Sequence, residues 1–216
     1  MERCLIVAGG TMDISFAKEF LEERRYGCVI AADAGLKTLS QLHLKPDAVV
    51  GDMDTVDGAL LADCEADPSV SFVVHRAEKD ETDTALALMT AARRGFQAVD
   101  LLGALGGRMD HAIGNIQLMY RYFRQGMEIC IYDARNKLYL IGGSHTFYRK
   151  SLYGKYVSFL PVTEAVTGLT LRGFKYPLNR CTVYLGDGLC ISNELSREEA
   201  RMELETGVML CVESRD

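Results

Sequence analysis

Residues 99–124 read VDLLGALGGRMDHAIGNIQLMYRYFR. An apolar run at Val99–Leu102 leads into a glycine-rich turn, and a helical pattern then runs over Asp110–Arg124 and stops before Gly126. A short apolar strand, a glycine turn and a helix form the repeating unit of a parallel α/β sheet. This stretch therefore predicts that the surrounding chain alternates between strands and helices.

The same alternation extends over the first 133 residues. The predicted strands are Cys4–Ala8, Cys28–Ala32, Ala48–Val50, Ser71–Val74 and Glu128–Tyr132, and the predicted helices are Ser15–Arg25, Leu36–Leu42 and Asp80–Arg94. Nearly continuous apolar strands that alternate with helices are typical of a parallel sheet covered on both faces. We expect residues 1–135 to form an α/β domain with a Rossmann-like parallel sheet.

From about Asn136 the pattern changes to short strands separated by glycines. The predicted strands are Leu138–Ile141, Thr146–Tyr148, Tyr156–Leu160, Leu169–Leu171, Thr182–Leu185 and Val208–Val212, with one short helix at Arg197–Leu204. Short strands with frequent turns indicate antiparallel pairing. We expect residues 136–216 to form a small antiparallel β-sandwich or barrel.

Composition narrows the class of protein. The 216 residues are 48% hydrophobic and 25% charged, as in an ordinary globular protein. The net charge of −6 argues against a nucleic-acid binder that uses bulk positive charge. No apolar run approaches the ~20 residues of a membrane span, and the N-terminus lacks the features of a signal peptide. The seven cysteines show no metal-binding spacing. We expect a cytoplasmic protein with neither nucleic acid nor membrane as partner.

Polar residues follow several predicted strands at the edge where open parallel sheets bind ligands. The four clusters are Asp33–Gly35, Gly51–Asp54, Lys79–Asp83 and Gly103–His111. Carboxylates without His or Cys suit Mg²⁺, which usually takes one or two carboxylates together with water and phosphate oxygens. Asp also favours loops and helix N-termini, so each carboxylate pair has a structural alternative.

The turn Gly103–Asp110 is suited to a phosphate group. Glycines allow close approach of the backbone, the helix start offers N–H groups, and Arg108 adds a fork-shaped donor. The turn is neither a Walker A loop nor a G-x-G-x-x-G motif. His111 in this setting is either a catalytic residue or a capping or packing residue. Together the clusters predict an enzyme or binder of a magnesium–nucleotide complex.

Four motifs resemble those of thiamine pyrophosphokinases in order and approximate spacing. They are Gly51–Asp54, Lys79–Asp83 followed by Ala85-Leu86, Gly106–His111 with Asn115, and Gly188–Glu194 preceded by Gly173–Leu178. That family often carries Trp where this chain has Tyr176, and this chain contains no Trp. A smaller ring can still stack on a ligand.

The resemblance implies transfer of the ATP pyrophosphoryl group to the hydroxyl of thiamine, which gives thiamine diphosphate and AMP. It implies a homodimer in which residues 1–135 bind Mg²⁺ and ATP, and residues 136–216 bind thiamine and dimerise. The expected site residues are Asp52, Asp54 and Asp83 for Mg²⁺; Asp54, Asp80 and Asp83 for catalysis; Asp33, Gly35, Lys79, Gly106, Gly107, Arg108, Asp110, His111 and Asn115 for ATP; and Tyr176, Ser192 and Asn193 for thiamine.

Two alternatives remain open from the sequence. One is a pyrophosphokinase for another heterocyclic alcohol, such as a hydroxymethylpterin, with the same metal site and a different pocket in the β domain. The other is a nucleotide-binding module without turnover. Four acidic positions in these motifs argue against the second alternative, because binding alone tolerates the loss of one.

Overall fold

The computed structural model describes residues 2–52, 54, 56–74 and 81–216. The chain divides into two compact units, unit 1 at Met1–Ala134 and unit 2 at Arg135–Asp216. Unit 1 is mixed α/β, and unit 2 consists of strands with one 3₁₀ turn at Arg149–Ser151. This arrangement confirms the predicted fold class.

Unit 1 is built on a parallel sheet. Its strands are β1 (Cys4–Val7), β2 (Cys28–Ala32), β3 (Ala48–Gly51), β4 (Ser71–Val74), β5 (Ala98–Leu102) and β6 (Glu128–Tyr132). Their order across the sheet is β4-β3-β2-β1-β5-β6, and each neighbouring pair is parallel. Every residue of β1, β3 and β5 is buried, as expected for strands that are covered on both faces.

The helices of unit 1 are α1 (Ile14–Glu22), α2 (Gly35–Gln41), α3 (Gly58–Glu65), α4 (Asp83–Arg93) and α5 (Met109–Phe123). Helix α4 contacts β1, β2 and β3, and it begins after Thr82, whose hydroxyl accepts the N–H of Ala85. Its first residue is therefore later than the predicted Asp80, which lies outside the described residues. The sequence analysis did not predict α3, because none of its side chains is buried and it shows no apolar stripe.

Unit 2 contains two groups of antiparallel strands. The strands are β7 (Asn136–Ile141), β8 (His145–Tyr148), β9 (Tyr156–Pro161), β10 (Ala165–Arg172), β11 (Leu178–Tyr184), β12 (Glu199–Glu203) and β13 (Met209–Ser214). Strand β13 pairs with β7 and β9, whereas the other four pair in the order β11-β10-β12-β8. Phe147, Phe159 and Phe174 are buried with ring centroids 5.5–5.7 Å apart and form an aromatic core.

The predicted helix Arg197–Leu204 is wrong, because β12 occupies Glu199–Glu203. Ala200 and Met202 are buried while Glu199 and Arg201 are exposed, which is the period of a strand. Glu, Ala, Arg and Met favour helices in isolation, so tertiary packing overrides their local preference here. In the described part of the chain, no helix combines the length and apolar character that a bilayer span requires.

Candidate active site

The strand order of unit 1 reverses between β1 and β5. From β1 the chain moves outward through β2, β3 and β4, and it then returns to β5 on the other side of β1. Such a reversal opens a crevice at the carboxyl ends of the two strands, where α/β proteins bind ligands. The turns Gly9–Thr11 and Gly103–Arg108 follow β1 and β5, so both lie at this crevice.

The two turns pack on each other through backbone atoms. The N–H of Gly10 donates to the carbonyl of Gly103 at 3.0 Å, and a Cβ atom at Gly106 would lie 2.0 Å from the carbonyl oxygen of Thr11. Gly103 also takes a φ of +68°, which disfavours other residues. Side chains are therefore excluded from this contact, and the main chain itself shapes the crevice.

A cleft of about 370 Å³ opens beside the turns. It is lined by the two glycine turns, Asp33 after β2, Thr82 and Asp83 at the start of α4, and Arg108 and His111 at the start of α5. Helix-start N–H groups and an arginine thus share one cleft with carboxylates. Groups of this kind suit a polyphosphate together with its metal ion.

Two predicted ATP-binding residues support the cleft from inside the fold. Asn115 is 7% exposed, and its Nδ2 donates to the carbonyl of Ala104 at 2.9 Å, which holds the second glycine turn in place. Gly35 is buried, and a Cβ atom there would lie 1.9 Å from the carbonyl oxygen of Val7. Gly35 therefore lets α2 begin directly against β1.

Arg108 forms a bidentate pair with Asp110. The Arg108 Nε donates to Asp110 Oδ1 at 3.1 Å, and Nη2 donates to Oδ2 at 2.5 Å. This hydrogen bonding lowers the pKa of Asp110 to about 2, and the backbone N–H of His111 adds to the effect. Both side chains are exposed, so the guanidinium is available to a ligand in the cleft.

Three carboxylates meet at the ends of β2 and β3. Oxygen atoms of Asp33, Asp52 and Asp54 lie within 4.8 Å of one another. The pKa of Asp54 is raised, first by its hydrogen bond with Asp52 and then by the charge of that neighbour, with further contributions from burial and from Asp33 and Asp83. Such mutual repulsion is relieved when a cation binds, and hard oxygen donors fit Mg²⁺.

Asp83 approaches this group from α4. A Cβ atom at Gly51 would lie 3.2 Å from Asp83 Oδ1, so the carboxylate rests against the end of β3. Asp33, which was expected to bind ATP, lies among these carboxylates and also lines the cleft, with a φ of +47° that Asp tolerates. Lys79 and Asp80 lie outside the described residues.

The three residues expected to bind thiamine lie near one another in unit 2 and differ in exposure. Tyr176 is 56% exposed and Ser192 is exposed, with Ser192 in the left-handed region at φ +57°. Asn193 is 2% exposed, and its side chain bonds the backbone of Tyr176. An exposed ring and hydroxyl thus lie next to a buried amide.

Comparison with known proteins assigns both units. Residues 20–131 match the family model described as "Thiamin pyrophosphokinase, catalytic domain", and residues 144–209 match "Thiamin pyrophosphokinase, vitamin B1 binding domain". The chain belongs to the thiamine pyrophosphokinase family. It is 36% identical over 188 residues to thiamine pyrophosphokinase of Bacillus subtilis, covering 87% of each chain.

Solved structures agree with membership of the thiamine pyrophosphokinase family. The crystal structure of thiamine pyrophosphokinase from Bacillus subtilis superposes with a TM-score of 0.87 at 30% identity, covering 100% of both chains. That of thiamin pyrophosphokinase from Geobacillus thermodenitrificans gives 0.84 at 32% identity, covering 99% of this chain and 98% of the other. The fold and order of elements described above are thus those of thiamine pyrophosphokinases.

The sequence prediction omitted several residues of this cleft. Gly9, Gly10 and Thr11 form one wall, and Thr82, which belongs to the predicted cluster Lys79–Asp83 but was given no role there, lies beside Asp83. The signal for the first wall was present, since Gly9-Gly10 follows the first apolar run just as Gly103 follows β5. What the sequence does not give is the strand order, which places the two turns side by side.

Proposed function

We propose that this chain transfers the pyrophosphoryl group of ATP to the hydroxyl of thiamine, giving thiamine diphosphate and AMP. The observation that carries the proposal is a cleft at the reversal of strand order that is lined by two glycine turns together with Asp33 and Asp83, with Asp33 in turn grouped with Asp52 and Asp54. Main-chain N–H groups at helix starts bind phosphates, and carboxylates hold the metal that accompanies them. Membership of the family supplies the acceptor.

The carboxylates of unit 1 hold Mg²⁺ in this proposal. Asp52, Asp54 and Asp83 are the ligands expected from the sequence, and Asp33 joins them because its oxygen lies within 4.8 Å of those of Asp52 and Asp54. Mg²⁺ supplies charge neutralisation for the triphosphate and its leaving group. Asp54, Asp80 and Asp83 form the proposed catalytic set, and either Asp80 or Asp54 accepts the proton of the attacking alcohol.

ATP binds along the glycine turns. The backbone of Gly106 and Gly107 faces the phosphates, and the Arg108 guanidinium offers parallel N–H donors to a phosphate oxygen pair. Positioning and electrostatic stabilisation of this kind account for most of the catalysis in phosphoryl transfer. Asp110 keeps Arg108 oriented, while His111 closes the cleft at the start of α5.

Thiamine binds to unit 2, where Tyr176 offers an aromatic face and Ser192 a hydroxyl. A permanent thiazolium cation and an aminopyrimidine ring suit such partners. We assign residues 1–135 to catalysis and Mg-ATP binding, and residues 136–216 to thiamine binding and dimerisation. We propose that the reaction takes place in the cytoplasm, and the free cysteines at all seven positions support this.

A homodimer is part of the proposal. Three apolar residues in one short segment of unit 2 are exposed: Leu185 at 65%, Leu189 at 60% and Ile191 at 52%. An exposed apolar segment of this kind suits an interface between copies. Light scattering at micromolar concentration is expected to give twice the chain mass, and a monomer with full activity would contradict this part of the proposal.

The decisive experiment supplies ATP, Mg²⁺ and thiamine and identifies the products by mass spectrometry. We expect AMP and thiamine diphosphate in equal amounts, no reaction with EDTA, and no ADP. Appearance of ADP with a monophosphate ester would indicate an ordinary kinase. Turnover of a hydroxymethylpterin in place of thiamine would favour another pyrophosphokinase, and ATP binding without products would favour a nucleotide-binding module.

A further inference from the structure

The side chain of Asn193 is bonded to the turn that presents Tyr176. Asn193 Oδ1 accepts the N–H of Tyr176 at 3.0 Å and that of Glu194 at 2.9 Å. Its Nδ2 donates to the carbonyl of Tyr176 at 2.9 Å. With only 2% of the residue exposed, both lone pairs of the amide oxygen are engaged inside the protein.

The backbone around Asn193 explains why a side chain makes these bonds. Residues 173–175 pair with residues 194–196, since Lys175 N–H donates to the carbonyl of Glu194 at 2.8 Å and Ser196 N–H donates to that of Gly173 at 2.9 Å. At Asn193 the main chain leaves this ladder and pairs with Val157 of β9, at 2.8 and 3.1 Å. The Asn193 carboxamide replaces the missing peptide group and bonds both the N–H and the carbonyl of Tyr176.

The backbone of Tyr176 is therefore fixed, while the residue as a whole is 56% exposed. A ring held in this way binds a flat ligand without first losing backbone freedom, which favours affinity through preorganisation. A direct contact between the Asn193 amide and a ligand would require these buried bonds to break. Each such loss leaves a buried polar group without its partner.

We propose that Asn193 is a positioning residue, which acts on thiamine through Tyr176 and makes no contact with thiamine itself. This inference rests on the proposed function, because it takes thiamine as the ligand of Tyr176. It replaces the direct contact expected from the sequence. Asn193 and Tyr176 then form one functional element, with the amide inside the protein and the ring at its surface.

A double-mutant cycle distinguishes a positioning role of Asn193 from a direct contact between Asn193 and thiamine. Asn193→Ala is expected to raise the KM for thiamine by roughly tenfold and to leave the KM for ATP within about twofold, because ground-state binding is lost on one side only. Tyr176→Ala is expected to raise the thiamine KM at least as much. The double variant should match Tyr176→Ala alone, since coupled residues are not additive. Multiplying effects would instead show a direct contact and overturn the inference.

Thr206→Ala is the matched control. It removes the exposed hydrogen bond between the Thr206 and Thr167 hydroxyls, 2.7 Å apart, which also joins two segments of unit 2 but lies outside the Tyr176 turn. Both KM values should remain those of the unaltered chain. If Asn193→Ala fails to fold, Asn193→Asp is the second variant. It keeps the side-chain volume but places an acceptor opposite the Tyr176 carbonyl. It should therefore raise the thiamine KM in the same way.

Amide hydrogen exchange without substrates tests the contact between the Asn193 side chain and the Tyr176 backbone independently of activity. Asn193→Ala or Asn193→Asp should accelerate exchange at the amides of Tyr176 and Glu194 at least roughly tenfold, while Val157 and Lys175 stay protected. Unchanged exchange at Tyr176 would overturn the inference. If the unaltered chain forms no thiamine diphosphate, the proposed function fails, whereas a functional enzyme with unchanged exchange or a multiplicative cycle refutes only the role of Asn193.

Discussion

Gly51 lies against the carboxylate of Asp83, so that a Cβ atom at Gly51 would stand 3.2 Å from Asp83 Oδ1. Gly51 also takes a φ of +146°, a conformation that residues with a side chain rarely adopt. Gly51→Ala should therefore displace Asp83 and strain the end of β3. We expect kcat/KM to fall at least roughly tenfold, with a loss of about 1–2 kcal/mol in the free energy of unfolding.

Gly58→Ala provides the control for this change. Gly58 opens α3, and among the described residues no atom would come within 4 Å of a Cβ atom placed there. Alanine at this position should leave kcat unchanged and hold or slightly raise the stability, because alanine favours helices. Steady-state kinetics and urea unfolding check both variants. A Gly51→Ala enzyme with unaltered kcat would show that Asp83 needs no fixed position.

Asp54→Asn should separate activity from stability. The pKa of Asp54 is raised by its hydrogen bond with Asp52 and by nearby carboxylates, so its charged form is disfavoured in the folded chain. Protonation thus favours the folded state, and this stabilisation is lost as the pH rises above the ordinary carboxyl pKa. At a pH of about 7.5 without metal, Asp54→Asn should melt at a higher temperature than the unaltered chain, yet lose at least ~10²-fold in kcat.

Melting temperatures measured with Mg²⁺ test whether these carboxylates bind the metal. Because a ligand that binds only the folded state raises the melting temperature, Mg²⁺ should stabilise the unaltered chain and have a smaller effect on Asp54→Asn and Asp52→Asn. Calorimetry with and without EDTA measures the difference. Equal shifts in all three proteins would place the metal elsewhere.

The sequence predicts a strand or helix correctly where the residues of that element alone carry the pattern. The strands of unit 1 are buried on both faces and appear as short apolar runs, so β2, β4 and β6 begin and end where the sequence predicts. Helix α3 lacks a buried face, so the local sequence does not predict it. Strand β12 consists of residues that favour helices, so the local sequence predicts the wrong element. Whether a signal is local thus decides what the sequence reveals.

The same distinction applies to the candidate site. The glycine turn after β5 and the pair Asp52 and Asp54 are visible as motifs in the sequence. That Asp33 joins these carboxylates depends on the pairing of β2 with β3, which no local pattern specifies. The buried state of Asn193 likewise depends on Val157, 36 residues earlier in the chain. Long-range pairing is therefore what the sequence analysis lacked.

The ion pair between the buried Asp100 and the half-buried Arg3, which lies just before β1, should matter for stability alone. Asp100 is 2% exposed, accepts from Arg3 Nε at 2.8 Å and from the Tyr26 hydroxyl at 2.8 Å. Asp100→Asn should cost roughly 1–3 kcal/mol in the free energy of unfolding, because Arg3 loses one of its two carboxylate partners and keeps only Glu128. Tyr26→Phe removes one hydrogen bond and should cost about 1 kcal/mol.

Urea unfolding and initial rates test this separation. Arg3 and Tyr26 precede β1 and β2, away from the carboxyl ends where the cleft lies, so kcat should be unchanged in both variants under conditions where they stay folded. Tyr184→Phe, at an exposed tyrosine of β11, is the control and should change neither quantity. A large fall in kcat for folded Tyr26→Phe would mean that this edge of the sheet is coupled to catalysis.

Substitution of Arg108 tests whether its guanidinium binds the phosphates of ATP in the cleft. Its guanidinium already shows a two-pronged geometry in its pair with Asp110, and the pKa of Asp110, lowered to about 2, keeps that pair ionised at every ordinary assay pH. Arg108→Lys retains the charge but loses the parallel donors, so the KM for ATP should rise roughly tenfold while that for thiamine stays nearly constant. Arg201→Lys, which alters an exposed pair with Glu203 in β12, should change neither KM. Initial rates with each substrate varied in turn distinguish these outcomes, and a rise confined to the thiamine KM would show that Arg108 does not face the nucleotide.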